Sequence, residues 1–232
     1  MSEPMRLTYF PVMAHGLAPA LVCEMSGLPW VGPRDTGFTR ESWPALKATG
    51  KCPFGQLPLL EVDGMNIGQM TAIVNYIGKK AGTEGTGFDF VMSQQLLAEA
   101  EDLYNSLQKF QPTWNVALGE QAKDGLSIKG TAEQYAKFWK EYVPTQLDKL
   151  NSLLAGKSRF TSTGRTVGEI VLWAILHQMK LCKPEMYDAT PDLAKFYTEI
   201  EAEPGVQKVV SGKSSFGEWQ TQYFVNPIKA NL

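Results

Sequence analysis

Apolar and polar positions change their period twice along this chain. Near the start, RLTYFPV alternates and is rich in β-formers, which predicts a strand. LAPALVCEMSG then reads as a helix, with Pro19 in its first turn, where proline is tolerated, and Gly27 near its end. PLLEV and MNIG flank an Asp63-Gly64 turn signal and predict a hairpin. After it, GQMTAIVNYIGKKAG sets Met70, Ile73, Val74, Ile77 and Ala81 at helical spacing, with Lys79 and Lys80 in the last turn and Gly82 as the terminating residue. Pro58 stands out in this run, because a proline cannot donate to a ladder and usually marks an edge strand.

Residues 83–89, TEGTGFD, are turn-rich, and beyond them the strand signals vanish. Helical patterns run through FVMSQQLLAEAEDLYNSLQKF, TAEQYAKFWKEYVPTQLDKLNSLLAG, TVGEIVLWAILHQMKLC and PDLAKFYTEIEAEPGVQKVVSG. Thr166 and Glu169 have capping-box spacing, a helix-start signal. The expected organisation is a small α/β domain over residues 1–82, a linker over 83–92 and an all-α domain over 93–232. The tail SSFGEWQTQYFVNP carries Phe216, Trp219, Tyr223 and Phe224 without helical spacing. It packs either over a pocket mouth or against the bundle.

Composition narrows the function. The 232 residues are 44% hydrophobic and 20% charged with a net charge of −2, so nothing points to nucleic acid or an anionic membrane. The start lacks the layout of a signal peptide and no apolar run is long enough to span a bilayer, which predicts a soluble, cytoplasmic protein. Cys23, Cys52 and Cys182 are scattered, which argues against a disulfide framework or zinc ribbon. His15 and His177 are the only histidines, leaving little for a metal site or a Ser-His-Asp arrangement. His177, inside an apolar helical run, reads as a packed core residue.

Together LTYF, Trp43 with Lys47, PFGQLPLLEVDG, GQMTAIVNYIG, TVGEIVLW and TPDLAKFYTEIEAEPGVQKV resemble the cytosolic glutathione transferases, most closely the sigma-like class. The resemblance covers almost the whole chain and implies a thioredoxin-like α/β front domain on an all-α helical bundle, paired as a homodimer. It implies that Pro58 is cis and that Leu57 turns its backbone outward to bond the cysteinyl part of glutathione. Gln69 and Met70, opening a helix, would hold the γ-glutamyl carboxylate; Trp43, Lys47 and Gln56 would hold the glycyl end. Tyr9 would be the catalytic residue, donating a hydrogen bond to the thiolate. Tyr104, Phe110 and Trp114 are candidates for the pocket of a hydrophobic second substrate.

Three departures from the family pattern stand out. Met70 replaces the usual serine, His15 falls where an arginine is usual, and either Asp102 or Asn105 takes the place of the acidic group supplied across a dimer. The expected activity is attack of the glutathione thiolate on a hydrophobic electrophile, with glutathione as co-substrate and no cofactor or metal. Two rivals remain: a glutathione-dependent isomerase of the prostaglandin D synthase kind, and a non-catalytic binding or structural protein of the same lineage.

Overall fold

The computed structural model describes residues 3–111, 113–114, 126–127, 131–220 and 223–224. The front of the chain forms a four-stranded sheet in the order β2-β1-β3-β4, from β1 (Met5–Thr8), β2 (Trp30–Val31), β3 (Leu59–Val62) and β4 (Met65–Gly68). β1 runs parallel to β2 and antiparallel to β3, which pairs antiparallel with β4. The hairpin turn has left-handed backbone at both Asp63 (φ 49°) and Gly64 (φ 75°), the conformation for which Asp-Gly is favoured. Asp63 also accepts hydrogen bonds from Tyr76 and Lys80, tying the turn to α4 (Met70–Ala81). Gly82, at φ 72°, ends that helix with its N–H on Gly78 and Lys79 carbonyls, as the sequence predicts.

Helices α1 (Leu17–Met25) and α4 pack on each other and bury Leu17, Leu21, Ile73 and Ile77. Two short helices, α2 (Pro33–Thr36) and α3 (Trp43–Ala48), fill the connection to β3. The back of the chain is helical: α5 (Gly87–Phe110), α6 (Ala132–Lys137), α7 (Val143–Leu154), α8 (Val167–Cys182), α9 (Pro191–Glu201) and α10 (Pro204–Val210), with a two-strand pair of β5 (Thr113–Trp114) and β6 (Leu126–Ser127). The long α6–α7 pattern contains a π turn at Phe138–Tyr142, directly before Pro144, whose missing N–H breaks the regular ladder.

α8 is the central post. It is buried along most of its length and touches α1 on the front domain and α5 and α9 behind. Gly168 allows its closest approach, since a Cβ there would overlap the Ser93 carbonyl of α5. The predicted capping box is present: the fully buried Glu169 carboxylate accepts from the Thr166, Phe160 and Thr161 N–H groups and from the Thr161 hydroxyl. His177 is the packed residue its context implies, stacked on Trp173 at 4.7 Å and on Tyr197 at 6.2 Å, with Nδ1 2.7 Å from the Tyr197 hydroxyl.

Candidate functional site

Three segments end at the same edge of the sheet. Thr8, Leu59 and Gly68 lie side by side across β1, β3 and β4, as the last paired residues of each strand. The next residues outward are Tyr9, Pro58 and Gln69, so these three candidates emerge together. The Leu57–Pro58 peptide is cis. Among the described residues no backbone hydrogen bond reaches Leu57, whose N–H and C=O lie beyond the end of the ladder. Gln69 caps α4 with φ 69°, a left-handed conformation uncommon for a residue with a side chain. The N–H groups of the first turn that follows have no intrahelical partner and point along the positive end of the helix dipole.

Met70 turns its side chain inward, to 4% exposure, so only its backbone faces this edge. The adjacent Thr71 hydroxyl donates to Glu101 of α5 at 3.3 Å. Burial and, secondarily, Asp102 raise the pKa of Glu101. Asp102 and Asn105 are themselves exposed. Glu101, not singled out from sequence, therefore sets a carboxylate beside the first turn of α4 on its own chain. Its spacing within AEAEDLYNS carried no sign of this.

The loop between α3 and β3 gathers the remaining candidates. Lys47 is exposed, with Nζ 5.7 Å from the Trp43 ring centroid, and its stem passes within van der Waals reach of Gly55. Phe54 leans over Gly68. Trp43 meets Phe10 edge-on at 6.0 Å, and Phe10 lies 5.9 Å from Tyr9. Gln56 is exposed beside Leu57.

Tyr9 is 8% exposed. Its hydroxyl oxygen accepts from the His15 N–H at 3.4 Å. Burial pushes its pKa upward, partly offset by that bond, so the phenol keeps its proton. Gly16 lies against the ring: a Cβ there would overlap Tyr9 Cδ1. The His15 imidazole stacks on Tyr104 at 4.0 Å, its Nδ1 buried without a partner, and burial lowers its pKa to about 4. It is neutral near pH 7 and does not reproduce a cationic arginine.

Of the pocket candidates, Tyr104 is buried between His15 and Phe224, whose ring it meets at 5.4 Å. Phe110 lies further along α5 and packs on Phe138 at 5.5 Å, as a bundle residue. Trp114 pairs through its backbone with Leu126, and its side chain lies outside the described residues. The C-terminal tail crosses this region. Gln220 donates its N–H to Pro11 at 2.8 Å, Phe224 bridges to Thr113, and the Tyr223 hydroxyl accepts from Gln108 at 3.3 Å. Among the described residues no group of three or more His, Cys, Asp and Glu is placed to hold a metal ion.

Comparison with known proteins brings up glutathione S-transferases by sequence and by fold. A family model described as "Glutathione S-transferase, C-terminal domain" matches residues 126–211. Glutathione S-transferase 1 of Ascaris suum is 28% identical over 213 residues, which cover 89% of this chain and 95% of that protein. The solved glutathione S-transferase of Ascaris lumbricoides superposes with a TM-score of 0.70 at 26% identity, over 91% of this chain and 98% of that one. A structure of prostaglandin synthase D from Nilaparvata lugens gives a TM-score of 0.71 at 23% identity, over 91% of this chain and 99% of that one, a likeness of fold. The small sheet with its helices is thus a thioredoxin-like domain set on a helical domain. In sequence and in fold the chain is similar to the glutathione transferases.

Proposed function

We propose that the chain is an active glutathione transferase, binding glutathione along the edge from Trp43 to Met70 and activating its thiol with Tyr9. The observation that carries this reading is the convergence of Tyr9, the unpaired backbone of Leu57 and the N-terminus of α4 at one end of the sheet. An extended peptide can pair with Leu57 as a further strand would, and a carboxylate suits the helix N-terminus. Lys47, beside Trp43, supplies a cation for a second carboxylate at the other end.

The chemistry follows from the state of Tyr9. A free thiol has a pKa of about 8.5, so little is thiolate at neutral pH. Because the Tyr9 oxygen accepts from His15 N–H, its own O–H is left to donate to the sulfur. A hydrogen bond to a charged group contributes about 1.5–3 kcal/mol, or roughly one to two pKa units. That makes thiolate a major species near pH 7. Proximity of a bound hydrophobic electrophile supplies the rest, with bond formation at an electrophilic carbon.

We place the protein in the cytoplasm as a homodimer; no described helix is long and apolar enough to cross a membrane. Phe54, 64% exposed, is one of the apolar side chains such a partner would cover, and sedimentation of a Phe54→Ala variant checks it. Calorimetric titration with glutathione, followed by steady-state assay with an aryl halide, tests the main reading. Tyr9→Phe is expected to lower kcat about 10- to 100-fold and leave the glutathione Kd within about threefold. Unchanged kcat would assign thiol activation elsewhere. No binding at millimolar glutathione would leave the non-catalytic reading. Glutathione released unchanged from a peroxide substrate would mark the isomerase.

A further inference from the structure

We infer that Gln178, on α8 in the helical domain, is a positioning residue for Tyr9. It fixes the Ala14–His15 peptide with its N–H toward the phenol, and so leaves the Tyr9 proton free to be donated to the thiolate. The inference rests on the reading of Tyr9 above and adds the residue that keeps this phenol in its working state.

Ala14 and His15 are the central residues of a turn closed by the Gly16 N–H on the Met13 carbonyl at 2.7 Å. Their shared peptide is trans, so its N–H and its carbonyl point to opposite sides. The N–H donates to the Tyr9 oxygen at 3.4 Å. The carbonyl, that of Ala14, accepts from Gln178 Nε2 at 3.1 Å, across 164 residues of sequence. Gln178 is 1% exposed, and the same nitrogen reaches back to the Ala174 carbonyl of its own helix at 3.4 Å. Two carbonyls at one end fix the amide orientation, because exchanging its nitrogen and oxygen would set acceptor against acceptor. Among the described residues its Oε1 is buried with no partner. An apolar side chain would fill this place without that orphan, so the amide is explained by the carbonyl it holds.

That carbonyl needs holding. The middle peptide of a β-turn has two orientations, which distinguish one turn type from another and leave the outer hydrogen bond intact. Ala14 stands at φ 24°, on the left-handed side where glycine is favoured, so surrounding contacts must sustain the turn. In the other orientation the carbonyl, in place of the N–H, would face Tyr9. The phenol would then donate to that carbonyl, with no proton left for sulfur, and the bound thiol would return toward its free pKa of about 8.5. Gln178 opposes this flip, because turning the carbonyl away breaks its bond. Ala14 is 4% exposed, so water does not replace it.

The test is Gln178→Met, which keeps the length of the side chain and removes the donor. The pKa of the bound thiol, read by ultraviolet absorbance, and the acid limb of kcat/KM are expected to move up together by about one unit. That is a loss of about tenfold below neutral pH, which disappears in alkali where the thiolate forms unaided. The glutathione Kd is expected to stay within about threefold. In a Tyr9→Phe background the same substitution is expected to lower the rate no further, because Gln178 acts through the phenol. An unmoved pH profile, or an equal loss of rate in both backgrounds, marks a merely structural residue and overturns the inference. Gln178→Leu repeats the comparison where the thioether variant does not fold. If Tyr9→Phe alone leaves kcat unchanged, the Tyr9 reading fails first, and this inference with it.

Discussion

The proposed glutathione edge and the wall facing it differ in what they are made of. The edge is mostly backbone: the peptide groups at Leu57 beyond the ladder and the first-turn N–H groups of α4, with the Met70 residue almost wholly buried. The facing wall is side chain throughout, and its parts come from distant stretches: His15 after β1, Tyr104 and Gln108 on α5, Tyr223 and Phe224 from the tail. A backbone site survives substitution as long as the fold places the chain. A side-chain site changes with each residue and can be rebuilt by a distant segment. One side is therefore fixed to one ligand, and the other is free to vary.

Acid should break this wall first. Burial holds both His15 and His177 at a pKa of about 4, against about 6.5 in an unfolded chain. Between those values the unfolded chain binds the extra proton. Stability is therefore complete above pH 6.5 and declines as pH falls toward 4, by roughly 3 kcal/mol for each imidazole. Urea midpoints at pH 7 and pH 4.5 measure the decline. His15→Gln is expected to show about half of it; an undiminished decline would mean that the imidazole beside Tyr104 is open to solvent.

Gly16→Ala separates the two sides more cleanly. The added methyl displaces the Tyr9 ring, and a shift of about 1 Å at a reacting group can reduce the rate about 100-fold. The expected result is that loss in kcat, with glutathione affinity by calorimetry largely retained. Equal loss of affinity would show that the ring, and not the backbone edge, holds the ligand. The smallest effect is expected of Met70→Leu. A swap that preserves core volume alters stability by less than about 1.5 kcal/mol, and a helix N–H is indifferent to it, so the glutathione Kd should stay within about threefold.

The same contrast explains what could be read from the sequence. The Asp63-Gly64 hairpin, the α4 periodicity ending at Gly82 and the Thr166–Glu169 capping box are local signals, and each is realised where its residues stand. The strands and helix that border the proposed edge were legible with them. Met70 reads as a missing hydroxyl in sequence, but its 4% exposure shows a core residue that leaves the backbone donor in place. His15 falls where an arginine is usual, yet burial keeps it neutral. Phe110, a pocket candidate by its chemistry, packs on Phe138. The tail had no period to reveal its destination: its contacts with Pro11, Gln108 and Thr113 each span more than 100 residues of sequence, and only folding makes them neighbours.

Gly16 also constrains the order in which this site can change. While a tyrosine occupies position 9, every other residue at 16 collides with its ring. A descendant that activates the thiol with a smaller hydroxyl must lose the Tyr9 ring before position 16 is released. Once a larger side chain settles there, the tyrosine cannot return until glycine is restored. The absent methyl works as a ratchet, and the history of Tyr9 in this lineage should be recorded at position 16, away from the hydroxyl itself.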